Sequence, residues 1–242
     1  MFPLKDNIPT DRLPIVTLLL IAANVLVYFV LQHGGIGSGP TQSGVVHYGA
    51  IPAEVTGERP DTGPIAAWLT IVTAMFMHGG ILHLAGNMLF LWIFGTTVED
   101  SMSRLRYVAF YLIGGLCAIG LQIAMSPGST VPTIGASGAI AGVLGGYILL
   151  YPRARVITIV LVILFFTFIE LPAWLLLGAW FAEQAVFAAT SLAHPDGGSG
   201  GVAYFAHVGG FAFGLLAIRA FAQRRKQLPP PSTGRRAEAV LP

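Results

Sequence analysis

Six apolar runs, set apart by short polar or glycine-rich breaks, constrain this chain more than any single residue does. They cover 15–31, 79–98, 105–125, 137–151, a stretch within 156–193, and 202–222. A helix needs about 20 apolar residues to cross the ~30 Å hydrocarbon core of a bilayer, and backbone that faces lipid must satisfy its own hydrogen bonds. Each run is therefore expected to be an α-helix, and the fold an all-α polytopic membrane protein. Composition agrees, because only 10% of the 242 residues are charged, against about 25% in an ordinary soluble domain. Too few charges remain to cover a water-facing globule.

Positive residues orient the runs. Arg104 and Arg106 follow the second, Arg153 and Arg155 the fourth, and Arg219, Arg224, Arg225 and Lys226 close the last. Short cytoplasmic loops carry the excess of Lys and Arg. All these residues share one side if 156–193 crosses once, with Leu171–Ala189 as the fifth span and 156–168 as a looser flanking segment. Six spans with both termini cytoplasmic follow, and Arg59 is then the one positive residue outside. The expected organisation is a cytoplasmic N-terminal segment (1–14), a six-span domain (15–222) and a basic, disordered cytoplasmic tail (223–242). The first run reads as a retained span, since no small-x-small cleavage site follows it closely. Region 32–68 is too polar and too rich in Gly and Pro to cross; it reads as an external loop with short interfacial pieces near Ile51-Pro52 and Trp68. The lone Cys117 cannot form a disulfide within the chain.

Polar residues inside spans are costly, and so are functional candidates. Here they are His83 and Asn87, Ser137, Glu183 and His207. His83 precedes Glu99 by 16 residues, Ser137 precedes Arg153 by 16, and His207 precedes Gln223 by 16. At 1.5 Å per residue each lies ~24 Å from the cytoplasmic side, at one height below the outer surface. His83 and Asn87, four apart, share a helix face. Gly138, Gly142 and Gly146 form one small-residue row, and Ala206, Gly210 and Gly214 another; such rows let two helices approach closely. Their crossing brings Ser137 to His207.

Each residue also has a plainer reading. A serine in a membrane helix commonly bonds its own i−4 carbonyl, and a lone His or Asn commonly ties two helices together. Glu183 reads as structural or cavity-facing, with no role assigned. His78 reads as a loop-anchoring hydrogen-bonder, and His33, His47 and His194 as solvated loop residues. The joint pattern favours chemistry. A serine is a weak nucleophile until a base takes its proton. A further His and an Asn at the same depth, with free N–H groups at a helix start, can donate to an oxyanion. Metal chemistry fits poorly, with no His-Glu-x-x-His and no carboxylate near His78, His83 or His207. The elbow G-x-S-x-G fails because Ala139 stands in place of its last glycine.

Taken together, these motifs resemble the rhomboid family of intramembrane serine proteases. Gly135-Ala136-Ser137-Gly138 resembles the family's nucleophile motif, and Ala206-His207-Val208-Gly209-Gly210, with Gly214 beyond, its base-bearing helix. Met77 to Asn87, with His78, His83 and Asn87, resembles its second-span motif. The similarity covers about residues 10–222. The resemblance implies a six-helix bundle with a short fourth helix carrying the nucleophile, and a Ser137–His207 dyad with no acidic third member. It further implies oxyanion donation from His83, Asn87 and the Ser137 backbone. Single-span membrane proteins are the implied substrates, cut near the outer surface through an acyl-enzyme. No cofactor, metal or nucleic acid is implied. Many members carry a Trp-Arg pair before the second span; here Leu69-Thr70 stand there, with Trp68 just upstream. Ala141, one turn after Ser137, offers no aromatic support for the base, so something else must orient it. A silent family member that binds membrane clients is the rival reading, although such members usually lack the serine or histidine. A transporter would call for paired carboxylates or broken helices in two related halves, and neither is visible. The Ala-, Gly- and Arg-rich composition points to a bacterial plasma membrane.

Overall fold

The computed structural model describes residues 2–162, 165–193 and 202–224. Strand β1 (Phe2–Asp6) leads into helix α1 (Ile15–Leu26), which continues through a π-helical turn to Leu31. Three short helices follow in the long loop: α2 (Gln42–Tyr48), α3 (Pro52–Val55) and α4 (Ala67–Thr73). Helix α5 (Ile81–Phe90) runs through a π-helical segment, Leu91–Gly95, into α6 (Thr96–Asp100). Then come α7 (Arg104–Met125), α8 (Ser137–Leu150), strands β2 (Arg155–Val162) and β3 (Phe165–Pro172), α9 (Ala173–Ala193) and α10 (Tyr204–Phe221).

The chain is a mostly helical, multi-pass membrane protein, as its apolar runs require. Four described helices are long and apolar enough to cross a bilayer: Ile81–Asp100, Arg104–Met125, Ala173–Leu192 and Tyr204–Phe221. Ile15–Leu31 and Ser137–Leu150 are apolar but shorter. Helix α8 is the centre of the bundle, with every residue from Gly138 to Tyr147 buried. At 14 residues it is about 21 Å long, so one of its ends must lie inside the ~30 Å core if the other is at the surface.

A small antiparallel sheet in the order β1-β2-β3 corrects the expectation of helix alone. Within 156–168, expected as a loose flank of the fifth span, residues 156–162 and 165–168 form most of strands β2 and β3, and the fifth helix begins at Ala173 rather than Leu171. The reason is local. Val156, Ile157, Thr158, Ile159, Val160 and Val162 are β-branched and suit a pleated surface better than a helix. Val156 and Thr158 are buried while Ile157 between them is exposed, which is the period-two alternation of a strand. The N-terminal residues complete the sheet, Asp6 lying opposite Val156 and Phe2 opposite Ile159.

Hydrogen bonds bring the end of α10 to the end of α6. The N–H groups of Gln223 and Arg224 donate to the carbonyl of Ser101 at 2.8 and 2.9 Å. The Glu99 carboxylate accepts from the N–H groups of Val16 and Thr17 at 3.0 and 2.8 Å, capping α1 with a negative charge where its free donors and positive dipole end lie. Asp6 accepts from the Tyr147 hydroxyl at 2.7 Å and from Thr97 at 2.9 Å, so the first strand is fastened to α8. At the other end, Ala50 and Thr133 exchange two backbone hydrogen bonds, 3.0 and 2.8 Å, tying the long loop to the segment before Ser137. Helices at 52–55 and 67–73 stand where short pieces were expected. Asp61, rather than any Trp-Arg pair, caps α4 by accepting from the Ala67 N–H at 3.1 Å. His47 lies in α2 and is half-buried, not solvated in a loop. His33 is exposed, whereas His194 and the tail from residue 225 lie outside the described residues.

Candidate active site

Ser137 is the first residue of α8, and the turn before it is built by glycine. Gly135 has φ +126°, a conformation that L side chains rarely adopt. Its N–H donates to the Ala74 carbonyl at 2.9 Å, pinning the turn to the end of α4. A Cβ at this position would come within 3.0 Å of His83 Nε2 and 3.4 Å of Ser137 Oγ. The glycine therefore leaves space between those two groups.

His207 enters from α10. Its Nε2 lies 2.8 Å from Ser137 Oγ, a distance at which the hydroxyl can donate to the ring. Glycines make this approach possible. A Cβ on Gly210 would overlap the Gly138 carbonyl oxygen, and one on Gly214 would overlap that of Gly142. The two predicted rows do meet, and Gly145, not singled out in the sequence, is pressed against the Phe211 carbonyl. Gly146 instead faces the side chains of Ile218 and Phe110. The start of α10 is also held by α7, because Gln122 Oε1 accepts from the Ala206 N–H at 3.3 Å.

The other face of the histidine ring is occupied by α9. Gln184, buried, places its Oε1 2.7 Å from His207 Nδ1. Trp180, one turn earlier, packs beside the ring at a centroid distance of 5.7 Å. These are the supports that sequence reasoning left unidentified. Their signal was available: a polar Gln and a Trp four apart within an apolar helix mark one inward face. Glu183, the more conspicuous charge, is exposed on α9 and does not line the cleft.

Helix α5 supplies the remaining candidates. The Gly79 N–H donates to His83 Nδ1 at 3.3 Å, which places the ring proton on Nε2, the nitrogen nearest Gly135 and Ser137. Asn87, one turn on, is buried, and its Nδ2 has no hydrogen-bond partner. A buried amide donor left open is rare enough to need a reason. His78 does anchor the loop, but through its main chain. Its N–H donates to Gln32 Oε1 at 2.9 Å, and its carbonyl accepts from Gln32 Nε2 at 3.0 Å. Gln32 is thus a further residue whose part the linear sequence does not show.

Ser137, His83 and His207 open onto one cleft of about 600 Å³. Its far wall is the glycine-rich segment 35–39 with Tyr28, and its near wall Gly79, Gly80 and Ile134. The arrangement presents a hydroxyl beside an acceptor nitrogen, with the His83 ring and the first turn of α8 on the same cleft, whereas Asn87 is buried and not among the residues that line it. That is a setting for attack on a carbonyl whose oxygen becomes negative. Among the described residues no group of three His, Cys, Asp or Glu side chains stands close enough to hold a metal ion.

A family profile for the rhomboid domain matches residues 66–224, well over half of the chain. The chain belongs to the rhomboid family. Its relatives include Rhomboid protease GluP of Bacillus subtilis, 36% identical over 132 residues, or 54% of this chain and 24% of that protein. Rhomboid protein 1, mitochondrial, of Saccharomyces cerevisiae is 31% identical over 178 residues, covering 67% of this chain and 46% of that protein. The rat presenilin-associated rhomboid-like protein, mitochondrial, is 31% identical over 99 residues, 40% of this chain and 26% of that protein. The matched region thus spans less than half the length of each of these relatives. The rhomboid domain profile takes in Ser137, His207, His83 and Asn87, whereas β1 and α1 lie before it.

Proposed function

We propose that this rhomboid is an intramembrane serine endopeptidase that cuts membrane-protein segments near the outer membrane surface. The observation that carries the reading is the 2.8 Å approach of Ser137 Oγ to His207 Nε2 at the floor of an open cleft. His207 takes the hydroxyl proton as Ser137 attacks the scissile carbonyl. The oxyanion receives hydrogen bonds from His83 Nε2, Asn87 Nδ2 and the Ser137 N–H. The imidazolium returns its proton to the leaving amine, leaving an acyl-enzyme. Water, deprotonated by the same ring, hydrolyses the ester and regenerates the serine. Single-span proteins whose helix unwinds locally at the surface are the substrates. The chain crosses six times with both termini cytoplasmic, in a bacterial plasma membrane.

The test is fluorophosphonate labelling of the purified protein in detergent, comparing wild type with Ser137→Ala and His207→Ala. Wild type is expected to label, Ser137→Ala not at all, and His207→Ala at a small fraction of the rate. Labelling that survives Ser137→Ala would sink the nucleophile assignment. A wild type that neither labels nor cuts a model transmembrane substrate points to a silent, client-binding rhomboid.

A further inference from the structure

We propose that Gln184 is a positioning residue, a neutral third member that fixes the tautomer and orientation of His207; this deepens the Ser137–His207 reading and rests on it. The His207 ring is held between two helices, Nε2 at 2.8 Å from Ser137 on α8 and Nδ1 at 2.7 Å from Gln184 Oε1 on α9. A neutral imidazole carries one proton. With a carbonyl oxygen facing Nδ1, that proton sits on Nδ1, and the Nε2 lone pair is left for the serine hydroxyl. When the ring takes the serine proton, the Nδ1–H of the imidazolium already has its acceptor, so no group need move as charge develops.

The choice of an amide has a physical basis. An ionised carboxylate held within the bilayer is costly, whereas a glutamine offers the same acceptor without a charge. It also explains how the base is oriented although Ala141, one turn after Ser137, supplies no ring beneath it. Gln184 and Trp180 are four apart on α9, so one helix face both bonds and flanks the imidazole. Gln184 is buried while its neighbours Glu183 and Val186 are exposed, which shows that this face is turned inward.

The experiment uses the full chain in detergent micelles. Nitrogen-15 NMR of labelled histidines, with His207→Ala to assign the signals, reads the wild-type tautomer directly. A proton on Nδ1 is expected; a His207 that carries it on Nε2 overturns the proposal without any variant at position 184. Gln184→Met, of similar length but without the acceptor, is expected to slow fluorophosphonate labelling of Ser137 roughly tenfold or more. On a transmembrane substrate it should lower kcat and leave KM unchanged, while thermal unfolding stays near wild type. Gln184→Glu, which keeps an acceptor oxygen, should label faster than Gln184→Met but melt at a lower temperature, because it places a carboxyl within the bilayer. A Met variant that labels at the wild-type rate refutes the role. If wild type does not label yet its Nδ1-protonated tautomer is lost in Gln184→Met, the contact stands and the protease reading fails.

Discussion

At the scale of single residues, the candidate site divides into what chain spacing reveals and what only folding brings together. Ser137, His207, His83 and Asn87 were legible because each is polar inside an apolar run, and because three of them count to the same depth. Gln184 was less so: its four-residue spacing from Trp180 marks one face of α9, but the charged Glu183 stands beside it, and only the fold shows that face turned to His207. Gln32 was hidden for a similar reason: it closes the first apolar run and meets His78 only across 46 positions of chain. The open Asn87 amide leads to a prediction. If Asn87 and His83 donate to an oxyanion rather than to a ground-state partner, Asn87→Ala and His83→Ala should each lower kcat by roughly 10²–10³. KM should change little. The check is steady-state cleavage of a transmembrane substrate; a rise in KM at constant kcat would show instead that these groups bind the substrate.

At the scale of elements, the α8–α10 crossing and the sheet behave oppositely with respect to the sequence. The crossing was written in small residues at four-residue spacing, and backbone carbonyls of one helix now lie against the glycines of the other. Gly210→Val should force the helices apart, costing about 1–3 kcal/mol or more and abolishing labelling of Ser137. Gly120→Ala makes the contrast: a Cβ there meets nothing within 4 Å, so thermal stability and labelling should match or exceed wild type. The sheet was missed because 156–168 is apolar almost throughout, and an unbroken apolar run looks the same whether it coils or extends. Its β-branched content was the available clue. Strand β1 carries a further test through Asp6. Burial raises its carboxyl above the ordinary value of 3.8, against the pull of the Tyr147 and Thr97 hydrogen bonds. An acid whose folded-state value is raised holds its proton more tightly folded than unfolded. Its contribution to stability therefore falls as pH climbs from 3.8 through the raised value, then levels off. Asp6→Asn keeps an acceptor and cannot titrate. The melting temperature of Asp6→Asn relative to wild type should rise with pH across that window and then stay constant, as thermal unfolding in detergent at a series of pH values would show.

At the scale of the whole molecule, a reporter fused after Lys226 is expected on the same side as Arg104 and Arg106, which is the cytoplasmic side by the distribution of positive charge, because the ends of α6 and α10 meet at Ser101 and Arg106 Nη1 reaches the Phe221 carbonyl at 3.3 Å. An external reporter would add a crossing within 156–193, which the β2–β3 hairpin already argues against. The pinning of that end also has a mechanical meaning. Helix α8 is anchored at Tyr147 through Asp6 to the sheet, and Ser137 stands ten residues, about 15 Å, further along the same rod. It is the tip of a lever. A tilt of only about 4° at the footing would carry the serine hydroxyl roughly 1 Å off its line to the base, a displacement of the size that can cost a hundredfold in rate. The three strands, none of whose described residues lines the cleft, are thereby coupled through Asp6 and Tyr147 to the aim of Ser137 at His207.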